Sequence, residues 1–141
     1  IEQGHMEEAN RLLGSPFCME GKVIHGKKRG TDMGFPTANV QVSDEYIIPK
    51  NGVYAGKIHV GRQSYGCMIN IGLNPTFHDV DAISLEANIF DFHEDIYGQV
   101  VSVDFLKFIR PEKQFRSKSN LVMQLEQDKR TIQKYFEEGV L

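Results

Sequence analysis

From Phe17 onward apolar and polar side chains alternate with a period of two. They do so in six runs: 17–25, 38–42, 53–60, 64–71, 83–92 and 100–109. Each run is rich in β-branched or aromatic residues, which predicts a strand. Six strands in succession, with Asn51-Gly52 as a turn signal and Gly61-Arg62 able to close a hairpin, predict an antiparallel barrel. Within 83–92 the alternation puts Leu85, Ala87 and Ile89 on one face, and Glu86, Asn88, Phe90 and Phe92 on the other. In the last run Val101, Val103, Phe105 and Ile109 share a face. After Pro111 the period becomes helical: Leu121, Leu125, Ile132 and Phe136 form a stripe, with Ser117 or Ser119 as N-cap and Gly139 as the stop. A shorter helical stripe, Met6, Ala9, Leu12 and Leu13, precedes Gly14 and Pro16 at the other end. The expected architecture is mainly β: a six-stranded antiparallel Greek-key-type barrel, one C-terminal helix and a short N-terminal linker helix over 1–16.

The 141 residues suit one domain with a core of its own. A net charge of −3 argues against non-specific nucleic-acid binding, which wants a basic surplus gathered on one face. No apolar run reaches the ~18 residues of a membrane span. The two cysteines, Cys18 and Cys67, lie in no C-x-x-C pair and near no histidine at zinc spacing, and they read as buried free thiols of a reducing cytoplasm. Five scattered histidines give no metallohydrolase pattern.

Three places could carry chemistry. Gly26, Gly30 and Gly34 recur every four residues around Lys27-Lys28-Arg29. A loop without Cβ atoms can turn several N–H groups onto one anion, although glycines at a barrel corner are also ordinary bends. It is not a Walker A loop, because a strand follows rather than a helix. Next, Pro36 extends its neighbours so that Thr37 and Asn39 project from one face of a strand. Their neutral oxygens suit Mg²⁺ when nucleotide phosphates supply the charge; the same side chains also satisfy turn amides. Finally, Glu86 interrupts an apolar strand. It is either part of a solvated outer face or a carboxylate held to take a proton. The acidic loop of Asp91, Glu94 and Asp95 reads as a solvated turn.

Taken in order, Gly34-Phe-Pro-Thr-Ala-Asn39, Gly52-Val-Tyr-Ala55, Asn70-Ile-Gly-Leu-Asn-Pro-Thr76, Glu86, Asp95-Ile-Tyr-Gly98 and Ile109-Arg-Pro-Glu112 resemble riboflavin kinases. The resemblance is specifically to the C-terminal module of bacterial bifunctional riboflavin kinase/FAD synthetases, over nearly the whole chain. It implies phosphorylation of the ribityl 5′-hydroxyl of riboflavin by ATP, giving FMN and ADP, with Mg²⁺ accompanying the nucleotide. It further implies Glu86 as catalytic base, and Thr37 and Asn39 as the Mg²⁺ and phosphate residues. Gly26, Ile89 and Tyr97 match nucleotide contacts, while Arg110, Lys113 and Phe115 match the flavin side. Asn88 stands where many relatives have His, and Thr31-Asp-Met33 lacks a lysine that some relatives place near the phosphates. Residues 1–16 then match the linker after an FMN adenylyltransferase module, 17–141 the kinase domain, and the setting is cytoplasmic. A flavin- or nucleotide-binding barrel without turnover, and an RNA-binding barrel, are the competing classes.

Overall fold

The computed structural model describes residues 11, 17–24, 37–42, 50–73, 83–92, 95–112 and 115–138. Six strands alternate with connections of unequal length: β1 (Phe17–Ile24), β2 (Thr37–Val42), β3 (Gly52–Val60), β4 (Gln63–Leu73), β5 (Ile83–Ile89) and β6 (Val100–Arg110). One helix, α1 (Lys118–Glu137), follows. The strands close into an antiparallel barrel in the order β1-β2-β5-β4-β3-β6. β3, β4 and β5 form a meander, and β2 lies beside β5 rather than β3, which is the expected Greek-key arrangement. The predicted linker helix lies outside the described residues apart from Arg11, as do Gly26, the glycine loop and Lys113. Among the described residues no helix is long and apolar enough to cross a membrane.

Closure leaves two separate apolar clusters. The barrel interior holds Met19, Val23, Tyr54, Ile58, Ile69, Leu85, Val103 and Phe105, among others. A second cluster lies outside the barrel wall, where Val53, Ala55, Met68, Phe90 and Leu106 meet Ile132 and Tyr135 of α1. β3 is therefore covered on both faces, and its first five residues are all buried. Ser117 is the N-cap of α1, its Oγ accepting from the Asn120 N–H at 3.2 Å.

Three expectations are corrected. Phe92 was expected on the outer face with Phe90, but the strand ends at Ile89 and Asp91 adopts φ 54°. That left-handed residue turns Phe92 into the interior, edge-to-face against Tyr65 at 4.8 Å. Ile109 was expected inward with Val103 and Phe105. The β3–β6 register slips twice, pairing Tyr54 with Phe108 and Gly56 with Phe105. The extra residue between them reverses the alternation, so Phe108 packs on the interior cluster and Ile109 on the outer one. Lastly, Cys18 is exposed, because it alternates with the fully buried Met19. Partial burial and the adjacent Asp104 carboxylate still push its thiol up to about 11, and burial raises that of Cys67 further.

Candidate active site

Strand pairing, rather than any local motif, assembles the candidate residues. Asn39 on β2 pairs with Glu86 on β5, Glu86 with Asn70 on β4, Asn70 with Val53 on β3, and Val53 with Arg110 on β6. These five residues form one row across five strands. Their alternation partners Val40, Leu85, Ile71 and Tyr54 point inward, so the row runs along the outer wall. Two residues along, on the same face, Thr37 pairs with Asn88, and Asn88 with Met68. Thr37, Asn39 and Glu86 are thus brought together on one surface. Glu86 and Asn39 are half-buried and Asn88 is buried. The same row ends at Arg110, three strand spacings or ~14 Å from Glu86.

Arg110 does not point freely into solvent. Its Nε donates to both oxygens of Asp128 at 3.0 and 2.9 Å, and its Nη2 lies 2.8 Å from Oδ2. Asp128 is 3% exposed and also accepts from Gln124 Nε2 at 2.9 Å. The guanidinium further covers the Phe115 ring, 5.9 Å from its centroid. Arg110 and Phe115 are therefore neighbours at the junction of β6 and α1. Phe115 also lines an open cleft of about 520 Å³ along α1 with Met123, Gln124, Gln127 and Arg130; no residue of the Glu86 row lines it.

Glu112 was not singled out by its chemistry, yet it completes the charge pattern. Its carboxylate lies against Gly72 of β4, where any Cβ would meet Oε1. Burial raises its pKa, the Glu86 charge raises it further, and Arg110 opposes both. Two carboxylates and one guanidinium therefore share this end of the wall. Asn70, between Glu86 and Val53, has a buried Oδ1 with no hydrogen-bond partner among the described residues. The only sequence signal for either residue was its place inside a family motif.

The nucleotide candidates lie apart. Ile89 is 7% exposed and faces the barrel interior rather than the Glu86 face. Tyr97 is 54% exposed in the turn before β6, its N–H donating to Asp95 Oδ1 at 3.0 Å. That turn is stitched to the end of β1: the Val23 N–H donates to Gln99 O, and the Gly98 N–H to Val23 O. Tyr97 thus stands beside the strand that leads into the glycine-rich segment. As for a cation, no group of three His, Cys, Asp or Glu among the described residues could hold one. Thr37, Asn39 and Glu86 offer two neutral oxygens and one carboxylate, a hard set that fits Mg²⁺ only if phosphates complete the shell.

Comparison with known proteins identifies the family. The family model described as "Flavokinase: Riboflavin kinase" matches residues 13–136. A bifunctional riboflavin kinase/FMN adenylyltransferase of Listeria monocytogenes is 46% identical over 96% of this chain and 43% of its own length. The Bacillus subtilis protein of the same description is 43% identical over 96% of this chain and 44% of its own. The chain spans less than half the length of these relatives. Among solved structures, one described as a macrolide-efflux protein from Streptococcus pneumoniae superposes with TM-score 0.89 at 41% identity. It covers 94% of this chain and 43% of that one. A riboflavin kinase from Trypanosoma brucei gives TM-score 0.62 at 28% identity, covering 86% of this chain and 80% of that one.

Proposed function

The chain belongs to the riboflavin kinase family, and from that premise we propose that it transfers the γ-phosphoryl group of ATP to the ribityl 5′-hydroxyl of riboflavin, giving FMN and ADP. The observation that carries the proposal is the row Asn39–Glu86–Asn70–Val53–Arg110. It sets a carboxylate between neutral phosphate-side oxygens and an arginine–aromatic pair suited to a flavin.

Phosphoryl transfer asks little covalent chemistry of a protein; positioning and charge stabilisation do most of it. Glu86 accepts the proton of the 5′-hydroxyl as the new O–P bond forms and the bond from phosphorus to the β,γ-bridging oxygen breaks. ADP leaves with that bridging oxygen, and the proton passes from Glu86 to solvent. Thr37 and Asn39 hold the nucleotide phosphates together with Mg²⁺, which supplies neutralisation of the triphosphate charge. Gly26, Ile89 and Tyr97 are assigned to the nucleotide by their match to the family motif, Tyr97 standing beside the end of β1. Arg110, Lys113 and Phe115 hold the flavin where β6 gives way to α1. The relatives' second activity supports the reading that the full-length protein carries an FMN adenylyltransferase module before this one and works in the cytoplasm.

The test is chromatography of riboflavin incubated with this chain, ATP and Mg²⁺. FMN and ADP in equal amounts are expected, and binding of both substrates without FMN would overturn the kinase reading. Replacing the base alone separates role from fold: Glu86→Gln should keep binding both substrates and lose roughly 10²–10⁴-fold in kcat. Turnover by that variant at the wild-type rate would remove Glu86 from the proton-accepting role.

A further inference from the structure

Asn70 is an odd choice for where it stands. On the outer wall its neighbours along and across the strands include Val53 and Met68, which pack under α1 in the outer apolar cluster. Its side-chain carbonyl oxygen is buried and has no hydrogen-bond partner among the described residues. An unsatisfied buried acceptor lowers stability, whereas leucine, of nearly the same shape, would fill the space without that penalty. A polar group that finds no partner among the described residues suits one supplied by a bound molecule.

Position says which partner. Asn70 pairs directly with Glu86, one strand spacing or ~5 Å away, and on its other side comes Val53, the partner of Arg110. A substrate with its terminal hydroxyl at Glu86 brings the adjoining part of its connecting chain past Asn70, the residue paired with Glu86 and still short of Val53, which α1 covers. The buried acceptor therefore stands beside the chain that leads away from the reacting oxygen, one strand from Glu86. We infer that Asn70 accepts a hydrogen bond from one secondary hydroxyl of the substrate's polyol chain, and so makes the site selective for a hydroxylated chain over an alkyl one. This rests on the kinase reading above and deepens it. It makes Asn70 a binding and specificity residue rather than a member of the proton-transfer machinery.

The experiment crosses two changes. Steady-state kinetics are measured for the wild type and Asn70→Leu with riboflavin and with its 2′-, 3′- and 4′-deoxy analogues. In the wild type, one analogue should lose roughly tenfold in kcat/KM, the worth of one hydrogen bond. Asn70→Leu should lose about as much with riboflavin itself, yet show no further loss with that analogue, because the bond is already gone. The KM for Mg·ATP should not move. A merely structural asparagine would give penalties that multiply for every analogue, and that result overturns the inference. Asn70→Ser, whose hydroxyl falls short of the row's centre, repeats the cycle if the leucine variant does not fold. A wild type indifferent to all three analogues overturns it without any variant. Failure of the wild type to form FMN would instead sink the kinase reading, so the two failures are told apart.

Discussion

A carboxylate beside another carboxylate is a measurable pH dependence. Glu112 lies against Gly72 with its pKa raised by burial first, then by the Glu86 charge, with Arg110 opposing. A folded-state pKa above the unfolded one means that the folded chain binds the proton more tightly. Stability from this group is then fully present below the ordinary carboxylate range and is lost as the pH climbs through the raised folded value. Glu112→Gln removes that loss. Its melting temperature should exceed the wild type's at neutral pH, and the gap should close near about pH 4, where Glu is already protonated. The rise will be small, since the residue is exposed and water screens the pair. An equal gap at both pH values would show that charge is not the cause. Sequence reading found Glu86 because a charge in an apolar strand is anomalous. It passed over Glu112 because a charge just after a strand is ordinary, and only the chain's path brings the two together.

At the scale of elements, α1 packs through its predicted stripe and buries two further residues. A stripe of Leu121, Leu125, Ile132 and Phe136 was expected to face the barrel, and Ile132 does, fully buried, with Leu125 and Phe136 packed alongside. Yet Tyr135 is buried as well, and so is Asp128, a residue that periodicity assigns to solvent. Asp128 is tolerable there because Arg110 and Gln124 satisfy both of its oxygens. The contact ties the helix to the end of β6, next to Phe115. Asp128→Ala leaves Arg110 without its partner and should cost about 3 kcal/mol in urea unfolding, as removal of one member of a buried pair does. It should also raise the KM for riboflavin while sparing that for Mg·ATP, because only the flavin side loses its anchor. A parallel rise in both constants would mean that the helix supports the whole wall rather than one end of it.

For the molecule as a whole, closure is what makes the site. The wall residues come from five strands, two of which, β2 and β5, meet only because the chain crosses the barrel between β2 and β3. Where β3 meets β6 the fit is tightest. At Gly56 an added Cβ would meet Ile69 Cδ1 on one side and the Asp104 carbonyl on the other, at the place where the register slips. A methyl there cannot be absorbed by a side chain swinging away, since one obstacle is backbone. Gly56→Ala should lower stability by about 2 kcal/mol or more in chemical denaturation. A loss no larger than a few tenths would mean that the β3–β6 seam yields more easily than its packing implies.

Among the described residues the sequence alone determined the number and kind of elements: six runs of period two and the C-terminal run of period 3.6, since each side chain's burial is written into its spacing along a strand or helix. It also singled out Thr37, Asn39 and Glu86, because polar groups stand out at positions an apolar pattern claims. Register, bulges and the left-handed turn at Asp91 were not legible, and so Phe92 and Ile109 were misplaced. These depend on backbone contacts between segments up to dozens of residues apart, which no local period encodes. The same holds for the row from Asn39 to Arg110. Its members are neighbours only across hydrogen-bonded strands, so tertiary structure decided which residues share a surface, and thereby where chemistry can take place.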